Sequence, residues 1–230
     1  MILVIRDKEE YDKNSKFIEQ FRKIYNDAFP DENEREELTS IYNRLDNEST
    51  PFTFLIFDLK DDIIQGGLII DVYIESEFAH LIYIVTDPNV RQQGVARRLL
   101  KEYLPKVLQQ INKEKNTNIE NIIFESNNPE LTTIDSFDTK LRLDIFKKLD
   151  AKYIPIKYIQ PPLEGRTQTV HNLFLFVYTP HDSIDSQKLK KFIGDFYYGL
   201  GIHNYVENDD YIATIKSIDA NAKNNQIFLI

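Results

Sequence analysis

One stretch in the middle of the chain combines a lone glycine, several arginines and a change of hydrophobic period. Leu81–Thr86 has the alternation of a strand, and the apolar spacing from Val95 onward is helical. Gly94 lies at the junction and is the only glycine between Gly67 and Gly165. A helix N-terminus carries unpaired N–H groups and the positive end of the helix dipole. The turn therefore predicts an anion cradle of the kind that holds a pyrophosphate.

The predicted cradle is a continuous run of seven residues. Gly94 would let a phosphate approach the backbone, Ala96 would keep the next position open, and the arginines would add positive charge. The candidate contacts are Arg91, Gln92, Gln93, Gly94, Val95, Ala96 and Arg97. The alternative is that Gly94 only permits a turn, with the arginines in solvent. Other phosphate motifs fit less well, because the chain has neither a P-loop nor a GxGxxG sequence.

Other kinds of catalytic chemistry find little support in the composition. The chain has no cysteine, which removes disulfides, thiolate metal sites and cysteine nucleophiles. Its four histidines show no metal-ligand spacing, so no metal site is predicted, and GxSxG is absent.

The charge and hydropathy of the chain limit its partners. The formal charge of −9 argues against nucleic acid and leaves room for cationic small molecules. No apolar run approaches the roughly 20 residues of a membrane span, and no signal peptide is evident at the start. We therefore expect a soluble, cytoplasmic protein that does not bind membranes.

The elements around the cradle indicate a mixed α/β layer structure. Spacing predicts a strand, two helices, three strands in an antiparallel meander, the helix after Gly94, a strand at Ile119–Glu125, a helix and two further strands. The last two are expected at Tyr153–Ile159 and Leu173–Tyr178. Pro105 should kink the long helix or end its first half.

The sequence of the predicted cradle resembles the signature of a known family. Arg91-Gln-Gln-Gly-Val-Ala96 matches the Arg/Gln-x-x-Gly-x-Gly/Ala signature of the GNAT superfamily of N-acetyltransferases. The flanks and the element order are similar over about residues 1–180. The resemblance implies a mostly antiparallel sheet flanked by helices, with acetyl-CoA as co-substrate and the pyrophosphate in the cradle. Residues 181–230 would form a C-terminal helical and strand extension packed on that domain.

The resemblance also implies roles outside the cradle. Backbone amides at Ile84, Val85 and Thr86 would pair with the pantetheine arm and the thioester carbonyl. Phe146 stands where the family usually has the tyrosine that protonates the departing thiolate. Phenylalanine has no proton to donate, so Tyr153, Tyr158 or a water would have to serve, or thiolate release is unassisted. Phe146 and Asn127 are included among the expected coenzyme contacts.

Glu125 is the candidate catalytic residue. It ends a strand that would lie beside the acetyl group in this fold, where a carboxylate could accept the ammonium proton or anchor a cationic acceptor. The alternative is a strand-end carboxylate in solvent or bonded to the Asn127-Asn128 turn.

These features predict an acetyl-CoA-dependent N-acetyltransferase that moves an acetyl group to a primary amine of a small molecule or peptide by direct attack. The alternative is a coenzyme-A-binding regulatory or interaction module that has lost the chemistry. The aromatic stripe within Phe192–Tyr198 is most simply a packing face, with a homodimer contact as the other interpretation.

Overall fold

A computed structural model describes residues 1–30, 35–45, 51–131, 138–163 and 168–230. The chain divides into two compact units. The first comprises Met1–Ile74 and Ala79–Ile119, and the second comprises Glu75–Phe78 and Glu120–Ile230.

Both units combine strands with helices in a mixed α/β fold, which confirms the predicted fold class. Strands in the first unit follow the order β1-β2-β3-β4, and those in the second follow β5-β7-β6. Their bounds are β1 Ile2–Ile5, β2 Phe52–Lys60, β3 Ile63–Tyr73, β4 Phe78–Thr86, β5 Asn121–Asn127, β6 Lys152–Tyr153 and β7 Leu173–Tyr178.

The meander of the first unit is antiparallel, as its short polar connections predict. Strands β2 and β3 are joined by Asp61 and Asp62, whose φ angles of 51° and 60° are those of a tight hairpin turn. The register shifts after Asp58, which pairs with Gly66, whereas Leu59 pairs with Ile64. Gln65 is thereby the extra residue of a β-bulge.

Helices of the first unit cover the sheet with apolar faces. Before the meander come α1 Lys8–Lys13, α2 Ser15–Ala28 and α3 Leu38–Arg44. The core on this side includes Phe21 and Ile41 from the helices and Phe57 from β2, each fully buried. Sequence spacing predicted two helices here, and the additional one, α1, is only six residues long.

The helix after Gly94 continues past Pro105. It begins as α4 (Val95–Arg98), passes through a π-helical turn at Leu99–Tyr103 and continues as α5 (Leu104–Lys115). Proline lacks an N–H and would interrupt regular i→i−4 bonding. The wider turn directly before Pro105 changes that bonding pattern, so the proline does not end the helix.

The second unit has β5, β6 and β7, with α6 at Thr139–Lys148. The predicted strand Tyr153–Ile159 is wrong beyond its first residues. Ile154 still donates its N–H to Leu175 O, at 2.9 Å. Pro155 has no N–H to donate, and the N–H of Ile156 turns back to Ile154 O at 2.8 Å. The chain therefore leaves the sheet and continues as irregular backbone.

Residues 181–230 form helices and short strands, as expected for the extension. They comprise β8 Ser183–Asp185, α7 Ser186–Gly199, α8 Asp209–Asn221 and β9 Gln226–Phe228. Phe192, Phe196 and Tyr197 of the α7 stripe are buried, and Tyr198 is 55% exposed. The packing interpretation of that stripe is therefore confirmed for its three buried aromatics. None of the described helices is long and apolar enough to cross a membrane.

Candidate functional site

The predicted cradle is a tight turn between β4 and α4. Asp87 begins it by donating its N–H to Gln65 O at 2.9 Å, so the β3 bulge supplies the anchor. Its carboxylate accepts the N–H of Asn89 at 2.8 Å and caps a 3₁₀ turn over Pro88–Val90. Gln92 and Gly94 then adopt left-handed φ angles of 65° and 75°. This local geometry turns the chain from the strand into the helix.

Arg98 links the turn to strand β2 through hydrogen bonds. Its Nη1 donates to Gln93 O at 2.8 Å, while Nε and Nη2 donate to Asp58 Oδ2 at 3.0 and 2.6 Å. Asp58 is 3% exposed, and its hydrogen bond raises the pKa of the Arg98 guanidinium. Arg98 therefore braces the turn from the buried side, with the β2 carboxylate as its partner.

The outer face of the turn is accessible. Arg91, Gln92, Gln93 and Arg97 are exposed, and Ala96 is half-buried. The Val95 side chain is buried, so only its backbone is suited to a ligand contact. A Cβ at Gly94 would meet nothing nearer than Arg98 Nη1 at 3.6 Å, which leaves open space beside the backbone.

Backbone donors of the first helical turn are available at the same place. The first helical hydrogen bond runs from Arg98 N–H to Gly94 O at 2.9 Å. The N–H groups of Val95, Ala96 and Arg97 thus belong to the turn that has no acceptor within the helix. The helix continues to Lys115, so the dipole of a long helix adds to these donors.

Gly66 is a site residue that sequence reasoning missed. A Cβ there would lie 2.5 Å from Val85 O, 2.8 Å from Val95 Cγ1 and 3.2 Å from Thr86 Cα. Glycine at this position therefore lets β3 approach the end of β4 and the start of the helix. The adjacent pair Gly66-Gly67 within a strand of mostly apolar residues was the available signal.

The predicted pantetheine strand is the end of β4. Ile84 and Thr86 are half-buried, and Val85 is 3% exposed. Their contact with a coenzyme remains a prediction.

Glu125 lies in the second unit, near the end of β5, and is half-buried. Its Oε1 accepts a hydrogen bond from the hydroxyl of Tyr158 at 2.7 Å. Tyr158 itself is 2% exposed. The sequence singled out both residues but contained no signal that would pair them.

Asn127 and Phe146 also belong to the second unit. Asn127 is half-buried at the end of β5, where it pairs with Leu173 of β7. Phe146 projects from α6 onto Phe124, with ring centroids 4.8 Å apart, and also contacts Phe176 at 6.4 Å. Phe146 is thus part of an aromatic cluster, and its contact with a coenzyme remains a prediction.

Among the described residues, no group of three or more histidine, aspartate or glutamate side chains could hold a metal ion.

Comparisons with known proteins point to one family. Residues 18–129 match the acetyltransferase (GNAT) family, a span that includes the cradle and Glu125. No curated protein matches the chain significantly.

Solved structures of acetyltransferases are similar to this chain at low sequence identity, and one of them, with a TM-score above 0.5, shares its fold. An acetyltransferase assigned to the GNAT family from Bacteroides thetaiotaomicron is 16% identical, with a TM-score of 0.55, and the match covers 92% of this chain and 98% of that one. The ribosomal-protein-S18-alanine N-acetyltransferase from Escherichia coli is 13% identical, with a TM-score of 0.46, over 78% of this chain and 94% of that one. The first match is long enough to include part of residues 181–230.

Proposed function

We propose, from the premise that this chain carries a GNAT-family acetyltransferase domain, that it transfers an acetyl group from acetyl-CoA to a primary amine of a small molecule or peptide. The observation that supports this most directly is the cradle. Its backbone is open beside Gly94, its first-turn N–H groups lack helical acceptors, and Arg91 and Arg97 are exposed at its rim. The positive charge and the N–H donors of the cradle are complementary to a pyrophosphate.

The residues of the cradle would hold the coenzyme in a fixed position. The N–H groups of Val95, Ala96 and Arg97 would bind the pyrophosphate, with Arg98 and Asp58 keeping the turn rigid. Backbone amides at Ile84–Thr86 would align the pantetheine arm and stabilise charge that develops on the carbonyl oxygen. Holding both reactants in one orientation removes much of the entropic barrier.

Bound acetyl-CoA supplies a thioester, whose acetyl carbon forms a bond to the amine nitrogen as the carbon–sulfur bond breaks. An alkylammonium has a pKa near 10.4, so most acceptors arrive protonated at neutral pH and cannot attack. We propose that Glu125 binds this ammonium and takes up its proton, directly or through a water. The ammonium loses two protons in the overall transfer. One would protonate the departing thiolate, and Phe146 cannot deliver it; the other would pass to solvent.

A second candidate function is coenzyme-A binding without turnover, in a regulatory or interaction module. The packing of Phe146 into an aromatic cluster favours it, because no hydroxyl stands at the position of the usual proton donor. Direct measurement of turnover distinguishes the two.

The test is a calorimetric titration with acetyl-CoA of the wild type and Gly94→Glu. The glutamate would place bulk and negative charge where the phosphates bind, so binding should be lost while the protein still folds. Gly201→Glu is a matched control, because Gly201 also has a positive φ, 85°, and nothing within 4 Å of an added Cβ. Undiminished affinity in a folded Gly94→Glu variant would refute the cradle.

Turnover is measured as thiol release with a panel of primary amines: spermidine, tyramine and tetra-alanine. A thiol-reactive dye reports only the released coenzyme, because the chain has no cysteine. Tight acetyl-CoA binding with no thiol release would favour the binding module.

A further inference from the structure

The segment that carries Tyr158 is irregular backbone held on both sides by the C-terminal extension. Directly before Tyr158, the N–H of Lys157 donates to Ser217 Oγ of α8 at 2.7 Å. Directly after it, the carbonyl of Ile159 accepts from the hydroxyl of Tyr197 of α7 at 2.8 Å. Two different helices of the extension therefore fix the backbone on either side of one side chain.

The contact at Ile159, which is 2% exposed, meets a physical requirement. Backbone groups outside a sheet or helix need other partners when they are buried. Gln160 completes the segment by exchanging two hydrogen bonds with Val170, at 3.0 and 2.9 Å. At the other end, Tyr153 exchanges two with Ile230, at 2.7 and 3.0 Å.

The hydroxyl of Tyr158 is directed at the proposed catalytic carboxylate. It donates to Glu125 Oε1 at 2.7 Å, a distance typical of a strong O–H to carboxylate hydrogen bond. Tyr158 is 2% exposed and Tyr197 is fully buried, so neither ring has room to turn away. Glutamate has three side-chain torsions, and a fixed donor on one oxygen removes much of that freedom.

We infer that Tyr158 is a positioning residue that orients the Glu125 carboxylate toward the acceptor amine, and that residues 181–230 serve the reaction by holding Tyr158 in place. The inference rests on the proposed function, since it assigns a role within that transfer. Displacement of a reacting group by about 1 Å can cost roughly 100-fold in rate, so orientation at this point has a measurable effect.

The experiment is a kinetic double-mutant cycle with Tyr158→Phe, Glu125→Gln and the double variant, using the best acceptor among spermidine, tyramine and tetra-alanine. Tyr158→Phe should lower kcat/KM for the amine about tenfold and leave KM for acetyl-CoA unchanged. In the Glu125→Gln background the same substitution should change kcat/KM less than twofold, because its effect passes through Glu125.

The contribution of the extension is tested by Tyr197→Phe and Ser217→Ala. Each removes one hydrogen bond beside Tyr158 and leaves Glu125 unchanged. Each should lower kcat/KM for the amine two- to fivefold. Tyr198→Phe is the matched control, because Tyr198 adjoins Tyr197 in sequence but is exposed. If Tyr158→Phe does not fold, these two variants decide the inference.

Three results would overturn the inference. The first is unchanged kinetics in a folded Tyr158→Phe enzyme, and the second is an equal loss in the Glu125→Gln background. The third is wild-type kinetics in both extension variants. A wild type that binds acetyl-CoA but acetylates none of the amines instead refutes the proposed transfer, and this role with it.

Discussion

Replacing Gly66 with alanine should destabilise the first unit and disturb the cradle. The added Cβ would lie 2.5 Å from Val85 O, a separation that real Cβ atoms essentially never show. Because the contacted atom is backbone, relief requires a movement of about 0.5 Å between β3 and β4, in addition to the contact with Val95 Cγ1. Overpacking of this kind costs typically 1–3 kcal/mol, and we expect about 2–3 kcal/mol here.

The assay is urea unfolding at 25 °C, combined with calorimetric titration of acetyl-CoA. A loss of about 2–3 kcal/mol corresponds to a fall in Tm of roughly 4–12 °C for a protein of this size. Binding should weaken as well, because Val85, Thr86 and Val95 are the neighbours that must move.

Gly199→Ala is the control, since a Cβ there meets nothing within 4 Å. Because Gly199 is the last residue of α7, alanine should leave the free energy of unfolding unchanged or raise it by less than about 1 kcal/mol. If Gly66→Ala lowers the free energy of unfolding by less than about 0.5 kcal/mol relative to the wild type, the close approach of the two strands does not constrain this position, and the reasoning fails.

Two further predictions concern carboxylates. Glu125→Gln should keep acetyl-CoA affinity and lower turnover roughly 100-fold or more, because no carboxylate remains to bind the ammonium and accept its proton; unchanged rates would leave Glu125 a strand-end carboxylate without a catalytic role. The hydrogen bond from Arg6 lowers the pKa of Glu114 to about 2, below the unfolded value of about 4.3. The Arg6–Glu114 ion pair therefore stabilises the folded protein above about pH 4, and this contribution to the free energy of unfolding is lost as the pH falls toward 2. Glu114→Gln should cost less than about 1 kcal/mol at pH 7, since the pair is partly exposed, and the difference measured by urea unfolding should shrink between pH 4.5 and 3; a difference that is constant with pH would contradict this assignment.

Several structural features could be predicted from the sequence because they depend on residues that are close together along the chain. The strand, turn and helix around Gly94 are contiguous, so alternation, a glycine and a helical period were enough to predict the cradle. The buried stripe of α7 followed in the same way, from the spacing of Phe192, Phe196 and Tyr197. The period of the apolar residues shows which residues share a face of a strand or a helix. The order of strands and helices obtained in this way predicted the α/β fold class.

Other features were decided by tertiary structure. Arg98 is paired with Asp58 across 40 residues, and Tyr158 with Glu125 across 33. The apolar run Tyr153–Ile159 satisfies strand propensity, yet most of it leaves the sheet. Its backbone groups find partners in Ser217 and Tyr197, which no local pattern reveals. Side-chain hydrogen bonds depend on which distant segments the topology brings within about 3 Å, and the spacing of residues along one segment carries no information about that distance.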